Sequence, residues 1–575
     1  MFVSISLSSI ALAQSADRAT ADKSVSEAFR AWLDDECERH PVFATQQGNR
    51  ERDGQMDDLS PSAREKDRKR DEALVAELLS RFDRSKLSRG SQIDLEIWEN
   101  AIRFRLWQAN HLDEFANDPR VYLVYCSDSV FSLFTQSTLP RHRNVDNAVR
   151  RIAHIPEVIA AAKASLKNPP RVVTEVAIKR TDGAISFYEK DIFALSGESP
   201  QISPLAAPCR MAAETLRDYK RFLEEELLPR SDGEWRIGSK KFSEKLAMEL
   251  DAGLSSQDVI ETAEAEADRV EREMYYVAKQ QWSSIIKNRP LPPDDTIGRR
   301  ETIRAVLFEL SKKHGTSETL IQDARATVEK IKDFIRSKKI LTLPEPDQCS
   351  IIEMPEFQRG FSAAYLNQAP PLDAKAKSLY AISPPPSDWP LERQLAFFQE
   401  YNHSMLQILT IHEAYPGHYV QLDYSNRVES LVRKVLTSGV FAEGWAVYTE
   451  QMMLDEGYGQ GELALRLHQL KYYMRAVLNA ILDYRMHCSN MTDDEAQSLL
   501  VDRGFQTTAE AVGKILRAKQ SSCQLSTYFV GRTAFYRLRQ KVQRARGNEF
   551  DLGKFHEEVL SHGTLPVKYL PELVK

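Results

Sequence analysis

A chain of 575 residues with 42% hydrophobic and 28% charged residues is long enough for two or more globular domains. Its net charge of −6 gives no bulk attraction to nucleic acid or to anionic membranes, so we expect no nucleic-acid partner. Six cysteines without a CxxC pair exclude a thiolate zinc ribbon and a disulfide-dense mini-fold.

The chain begins with an apolar run that ends in Ala11-Leu12-Ala13. A small-x-small ending is the pattern that signal peptidase cuts, so we interpret residues 1–13 as a signal peptide. The basic segment that normally precedes the apolar run is missing, and a disordered N-terminus is the alternative. No later stretch approaches the ~20 apolar residues of a membrane helix. The sequence therefore predicts a periplasmic or secreted protein without a membrane span.

Helical periodicity dominates from residue 24 onward, with apolar residues recurring at three and four. Strand patterns are few, and the two best, IIEMPEF and SLYAISPP, stand near prolines. We therefore predict a mainly α fold, a large multi-helix body with a cleft and a small β element near residues 350–390. We place a helical N-terminal lobe at 24–345 and a catalytic helical region at 346–575, with one continuous domain as the alternative.

The stretch LTIHEAYPGHYVQ, residues 409–421, begins like the HExxH helix of a zinc protease, but its histidines, His412 and His418, are six residues apart. On an unbroken helix they would point about 120° apart, at ~100° per residue, and could not bind one ion. Pro416 removes a backbone donor and Gly417 permits unusual backbone angles, so the pair supplies a break where the spacing needs it. The alternative is a helix end with two surface histidines.

The segment FAEGWAVYTE places Glu443 and Glu450 seven residues apart, on one face of a mostly apolar helix. A carboxylate in such a helix is the expected third ligand of a zinc site, and we assign that role to Glu443. An exposed acidic stripe is the alternative, and it suits Glu450 better than Glu443.

Two further helical segments carry polar residues at intervals of three and four. We interpret both lines as facing a cleft, although the solvated side of an amphipathic helix is the alternative. His487 or Tyr528 would then donate to a developing oxyanion. Arg517 or Arg475 would bind a peptide carboxylate, and Gln524 lies on the same line as Arg517. The two lines are Tyr472, Arg475, Asn479, Asp483 and His487 in one segment, and Arg517, Gln524 and Tyr528 in the other.

With these motifs in place, the chain resembles the bacterial family known as domain of unknown function 885. The resemblance rests on HEAYPGH and its flanks, FAEGWAVYTEQMM, RAVLNAILDYRMH and RAKQSSCQLSTYFVG. The family is similar in outline to helical zinc peptidases such as thimet oligopeptidase and angiotensin-converting enzyme. The resemblance implies a mainly helical fold, a zinc ion held by His412, His418 and Glu443, and Glu413 as the base.

The hypothesis is therefore a zinc-dependent hydrolase, a metallopeptidase that acts on a peptide or small amide substrate. Two alternatives stay open: a non-catalytic exported peptide-binding protein, and a zinc hydrolase of non-peptide amides or esters. A serine or cysteine nucleophile is disfavoured because GxSxG is absent and no cysteine stands in a nucleophile motif. The sequence leaves the oligomeric state open, with a dimer among the options.

Overall fold

The computed structural model describes residues 3–354, 363–387 and 389–575, with side chains from residue 17 onward. The fold is mainly α with a small β element, as the sequence predicts. In chain order the helices are α1 (Val3–Arg39), α2 (Pro41–Gln47), α3 (Pro61–Arg81), α4 (Arg89–His111), α5 (Glu114–Asn117), α6 (Arg120–Leu123), α7 (Ser129–Thr135), α8 (Arg141–Ile152), α9 (Ile155–Ser165), α10 (Arg171–Ser186), α11 (Ile192–Ser196), α12 (Ala206–Phe222), α13 (Gly238–Leu250), α14 (Ser256–Ile285), α15 (Thr296–Ser311), α16 (Leu320–Lys338), α17 (Leu391–Glu400), α18 (His403–Glu413), α19 (His418–Arg427), α20 (Leu431–Val435), α21 (Gly439–Asp455), α22 (Leu463–Cys488), α23 (Asp493–Ser498), α24 (Thr508–Gln520), α25 (Thr527–Arg546), α26 (Leu552–Ser561) and α27 (Leu570–Leu573).

The three described strands are β1 (Cys349–Glu353), β2 (Ala364–Asn367) and β3 (Ser378–Ile382), which form one sheet in the order β1-β3-β2. Strand β3 pairs with β1 in parallel and with β2 antiparallel. The two predicted strand segments correspond to β1 and β3, although the last three residues of IIEMPEF lie outside the described residues.

The sheet lies against α18, the helix that carries His412. The Tyr380 hydroxyl of β3 and the Thr410 hydroxyl of α18 are hydrogen-bonded at 3.1 Å, and both residues are buried. The parallel β1–β3 pair and the short β2 are therefore anchored beside the HEAYPGH segment.

The chain forms two compact units. The first contains Met1–Glu234, Pro370–Ala376 and Val428–Thr437. Its core includes the Phe29 and Trp98 rings, which meet edge to face at 5.1 Å. The helices of this unit are short apart from α1, α3, α4, α10 and α12, and their apolar faces are buried against one another.

The second unit contains Trp235–Ala369, Lys377–Arg427 and Ser438–Lys575. Helices α13 to α17 therefore belong to the second unit. Charged side chains of the long helix α14 pair with two later helices of this unit. Glu273 of α14 pairs with Arg466 of α22 at 2.7 Å, and Glu266 pairs with Arg532 of α25 at 3.4 Å. These partners attach α14 to the C-terminal helices.

Helix starts in the second unit follow the expected side-chain caps. The Asn402 side chain accepts from the backbone N–H of Ser404 and of Met405 at the start of α18. Ser438 does the same for Phe441 at the start of α21. Within the described ranges, no helix combines the length and apolar character needed to cross a bilayer.

Candidate metal centre

The break expected at Pro416 and Gly417 is present. Helix α18 ends at Glu413 and α19 begins at His418, and the Tyr415–Pro416 peptide bond between them is cis. The Gly417 N–H donates to the Ile411 carbonyl at 3.0 Å, which continues the backbone hydrogen bonding across the turn. His418 therefore belongs to a new helix, and the six-residue spacing no longer fixes its direction.

Close packing holds this turn. A Cβ on residue 417 would lie 1.9 Å from the His412 carbonyl oxygen and 2.3 Å from that of Ile411, so the position requires glycine. The Trp445 indole N–H donates to the Pro416 carbonyl at 2.8 Å. Trp445 is completely buried in α21, so the turn is fixed to the helix that carries Glu443.

The three predicted ligands meet at one point. Ligand atoms of His412, His418 and Glu443 all lie within 4.8 Å of one another. Glu443 Oε2 is 3.6 Å from His412 Nε2 and 3.5 Å from His418 Nε2. The two imidazole rings are nearly perpendicular, at 87°. Ligands about 2.0–2.1 Å from a tetrahedral zinc ion stand about 3.3 Å apart, so the observed separations suit such an ion.

The electrostatics of this group also suit a cation. Glu443 Oε2 is buried and accepts no hydrogen bond from the described residues. Burial alone would raise the pKa of Glu443, but the imidazoles of His412 and His418 reverse the effect and hold it below its usual value. Glu413 and Glu450 add two further carboxylates to the same buried region. Three carboxylates around two imidazoles favour a bound positive charge.

Glu450 orients the first ligand. The Nδ1–H of His412 donates to Glu450 Oε1 at 2.7 Å, and Glu450 has no exposed surface. This hydrogen bond leaves His412 Nε2 directed towards Glu443. Metal-binding histidines commonly donate their other N–H to a carboxylate in this way. The exposed acidic stripe considered for Glu450 is therefore wrong.

Glu413 lies next to the cluster at the end of α18. Burial raises the pKa of its carboxyl, while the neighbouring His412 and His418 act in the opposite direction. A backbone hydrogen bond involving Leu366 of β2 also lowers the pKa of Glu413. The Glu413 carboxylate thus interacts both with the candidate ligands and with strand β2, and its pKa is raised.

A close crossing of α21 and α25 brings Tyr528 within electrostatic reach of Glu443. Gly444 of α21 and Gly531 of α25 touch through their backbones, because a Cβ on residue 444 would lie 2.4 Å from the Gly531 Cα. Glu443 precedes the first glycine directly, and Tyr528 precedes the second by one helical turn. Burial raises the pKa of Tyr528, and the charge of Glu443 raises it further.

Arg517 and Gln524 lie beside Tyr528, as the sequence predicted. Arg517 Nη2 donates to Gln524 Oε1 at 2.7 Å and to the Tyr528 hydroxyl at 3.3 Å. These three residues come from α24, the turn that follows it, and α25. The predicted line of residues is therefore one hydrogen-bonded group.

Arg475 lies deeper and is already paired. Its Nη1 is 3.2 Å from Glu510 Oε1 and 3.7 Å from Glu400 Oε1. Because two carboxylates neutralise this guanidinium, we do not assign it to a substrate carboxylate. These ion pairs of Arg475 instead link α22 to α24, which carries Glu510, and to α17, which carries Glu400.

His487 is not part of the cluster, and its predicted role as an oxyanion donor is corrected. Its Nε2 lies 3.0 Å from the Ala518 carbonyl and 2.9 Å from the Ser521 carbonyl. Its ring packs against Trp235 and Phe242. Burial lowers the pKa of His487. A neutral imidazole that already donates to two carbonyls positions the end of α24 and has no proton left for a substrate.

Two side chains near the cluster received no role from the sequence. The Tyr472 ring lies edge-on to the His412 ring, with centroids 5.8 Å apart, and burial raises the pKa of its hydroxyl. Lys514 of α24 interacts electrostatically with Glu443. Tyr472 is among the polar residues that stand at helical spacing in the sequence. No sequence pattern distinguishes Lys514 from an ordinary surface lysine.

Comparisons with known proteins assign a family but no activity. Residues 41–574 match the model of a bacterial protein of unknown function, DUF885. A structure from Shewanella oneidensis, a candidate lipoprotein of unknown function, is 30% identical with a TM-score of 0.79, covering 96% of this chain and 99% of that one. A candidate lipoprotein from Colwellia psychrerythraea is 16% identical with a TM-score of 0.78, covering 96% and 98%, and it shows the fold alone. No curated protein matches.

Proposed function

The chain belongs to the bacterial DUF885 family, and from its His412, His418 and Glu443 cluster we propose that it is a zinc-dependent hydrolase of peptide or related amide bonds. One observation carries this proposal: three side chains with zinc-ligand chemistry converge within 4.8 Å, directly beside a half-buried carboxylate, Glu413, whose pKa is raised. A metal-binding protein without catalysis would have no need of that fourth group.

The two imidazoles and one carboxylate would hold the metal. A set of two nitrogen donors and one oxygen donor is common in catalytic zinc sites, which keep a further position open. When bound, zinc lowers the pKa of a water molecule from 15.7 towards ~7 and polarises a carbonyl group. Glu450 would maintain the donor set by holding His412 through its Nδ1–H.

Glu413 is the proposed general base. It would take a proton from the attacking water and return it to the leaving amine nitrogen. Its raised pKa, caused first by burial, makes the carboxylate a stronger base than an exposed glutamate. The hydrogen bond from β2 orients the side chain for both transfers.

Tyr528 is the proposed oxyanion donor now that His487 is excluded. Its hydroxyl interacts electrostatically with Glu443 and accepts from Arg517 Nη2 at 3.3 Å. Because the hydroxyl accepts from a guanidinium, its own proton is free to be donated to a substrate oxygen. Such a donor stabilises a transition state by about 3–4 kcal/mol.

We also propose that the protein is exported. The apolar N-terminal run with its Ala11-Leu12-Ala13 ending supports this. The similar structure from Shewanella oneidensis, that of a candidate lipoprotein, points in the same direction.

The experiment is a comparison of wild type with Glu413→Gln on a panel of short peptides, N-acyl amides and esters. Wild type should hydrolyse at least one amide, and a chelator should abolish turnover. Glu413→Gln should keep its zinc but lose turnover by about 10²–10⁴-fold. Glu462→Gln, at an exposed position, is the matched control. Full activity of Glu413→Gln would contradict the mechanism, and binding without hydrolysis would favour a peptide-binding protein.

A further inference from the structure

We infer that Lys514 and Arg517 form a subsite beside the candidate metal centre that binds the free C-terminal carboxylate of a peptide substrate. This inference rests on the proposed function and narrows it to cleavage near the C-terminus. Arg517 stood among the residues predicted for carboxylate binding; Lys514 did not. The structure adds that Lys514 and Arg517 lie on the same face of one helix.

The location of the pair follows from the helices. Lys514 and Arg517 are three residues apart in α24 and therefore share a face. Arg517 reaches the Tyr528 hydroxyl at 3.3 Å. Tyr528 stands one turn before the glycine contact that joins α25 to α21 beside Glu443. Arg517 on this face of α24 is thus hydrogen-bonded to a tyrosine that interacts electrostatically with Glu443, a candidate metal ligand.

The charges around α24 do not balance. Four cations of α22 and α24 lie near two carboxylates, Glu400 and Glu510, and the candidate ligand Glu443 is the third carboxylate that acts on Lys514. Glu400 pairs with Lys471 at 2.7 Å and lies 3.7 Å from Arg475, while Glu510 pairs with Arg475 at 3.2 Å. Both carboxylates are therefore occupied by cations of α22. The two cations left over are Lys514 and Arg517.

The environment of Lys514 gives the stronger indication of an anionic ligand. In the part of the chain that the structure describes, its ammonium has no hydrogen-bond or ion-pair partner, although its side chain is half-buried. Burial, followed by the charges of Arg475 and Arg517, lowers its pKa to about 7, although Glu510 and Glu443 act in the opposite direction. A lysine in this environment gains more from an anionic ligand than a solvated lysine does. A bound carboxylate would supply the missing counter-charge.

The hydrogen bond between Arg517 and Tyr528 favours a terminal carboxylate close to the cleaved bond. Tyr528 is the proposed oxyanion donor, and Arg517 is hydrogen-bonded to it. Because Arg517 is bonded to the proposed oxyanion donor, we place the substrate carboxylate within a few residues of the reacting carbonyl, at about 3.3–3.6 Å per extended residue. The substrate class is therefore short peptides, or peptide ends, that lose one or a few C-terminal residues.

The test uses N-acetylated tripeptides, each made as the free acid and as the C-terminal amide. For wild type, kcat/KM should be higher for the acid than for the amide by about 10–100-fold. Lys514→Met should lower kcat/KM for the acid by about that factor and change kcat/KM for the amide by less than about threefold. Lys514→Arg should restore part of the preference. Lys519→Met is the control, because Lys519 lies in the same helix but pairs with Asp493 at 2.7 Å.

A binding measurement separates this inference from the proposed function. Calorimetric titration of metal-free wild type with the same acids and amides reports the subsite without catalysis. Acid-selective binding that Lys514→Met abolishes supports the subsite even if no peptide is hydrolysed. Equal binding of acid and amide, or an equal loss of both in Lys514→Met, overturns it. A preference that follows an acidic side chain instead of the terminus overturns the C-terminal assignment.

Discussion

The Nδ1–H of His412 donates to Glu450 at 2.7 Å inside a region from which solvent is excluded. The two residues are on different helices, α18 and α21. Helix α18 also carries Glu413, and α21 also carries the candidate ligand Glu443. The hydrogen bond therefore fixes the tautomer of His412 so that Nε2 is available at the cluster. Burial raises the pKa of Glu450, while His412 lowers it.

Replacing Glu450 with glutamine should weaken zinc binding. The amide can still accept from His412 Nδ1–H, but the negative charge that supports the imidazole is lost. We expect the dissociation constant for zinc to rise about 10–100-fold. Competition with a chromophoric chelator measures this constant. Glu462→Gln, which changes an exposed carboxylate, should not alter this constant. An unchanged dissociation constant in Glu450→Gln would show that Glu450 does not support zinc binding by His412.

Alanine at position 417 should disrupt the turn. Its Cβ would stand 1.9 Å from the His412 carbonyl oxygen, and backbone atoms there cannot yield without moving His412 or His418. We expect a loss of at least about 2–3 kcal/mol in the free energy of unfolding, together with lost zinc. Urea unfolding and metal analysis measure the two effects.

Gly513→Ala is the matched control for that substitution. A Cβ at this helical position meets nothing within 4 Å. The exchange should therefore stabilise the protein by about 0.5–1 kcal/mol and leave the metal in place. If Gly417→Ala behaved like Gly513→Ala, the tight turn would not be what positions the two histidines.

The buried Asp483 should make stability depend on pH. It accepts hydrogen bonds from the Cys523 N–H and the Ser526 hydroxyl, both at 3.1 Å, yet burial raises its pKa to about 7. An unfolded aspartate titrates near ~3.9. The native state therefore holds an extra proton between about pH 4 and 7, and the stability gained from it is complete below that window and lost as the pH rises through it.

Asp483→Asn removes this titration, so the two proteins should respond differently to pH. The free energy of unfolding of wild type minus that of the variant should fall from pH 5 to pH 7, by at most about 1.4 kcal/mol per pH unit. Above pH 8 the difference should become constant. Urea unfolding at four pH values provides the curve, and parallel curves for both proteins would show that Asp483 is ionised in the folded state throughout.

The sequence predicted those parts of the site that depend on local backbone chemistry. The Pro416-Gly417 pair indicated the break because proline and glycine act on the backbone where they stand. The line of Arg517, Gln524 and Tyr528 was visible because it follows helical spacing across a short turn. Strands β1 and β3 were recognisable from their β-branched and aromatic residues.

What the sequence could not supply depends on contacts between distant segments. Glu450 is buried because α18 packs on it, and nothing in its own helix indicates that. His487 looked available until the carbonyls of Ala518 and Ser521 proved to occupy it. Strand β2, with four residues, is too short for a periodic pattern. Lys514 differs from a surface lysine through its burial and through nearby charges such as Arg475 of α22, which only the fold brings together.

Zinc ligation by His418 can be tested by comparing the zinc content of purified wild type with that of His418→Ala. His403→Ala is the control, because His403 lies on the same helix as His412 but is 54% exposed. We expect stoichiometric zinc in wild type and in His403→Ala, and almost none in His418→Ala. Zinc retained in full by His418→Ala, or a wild type that takes up no zinc when it is supplied, would contradict this ligation.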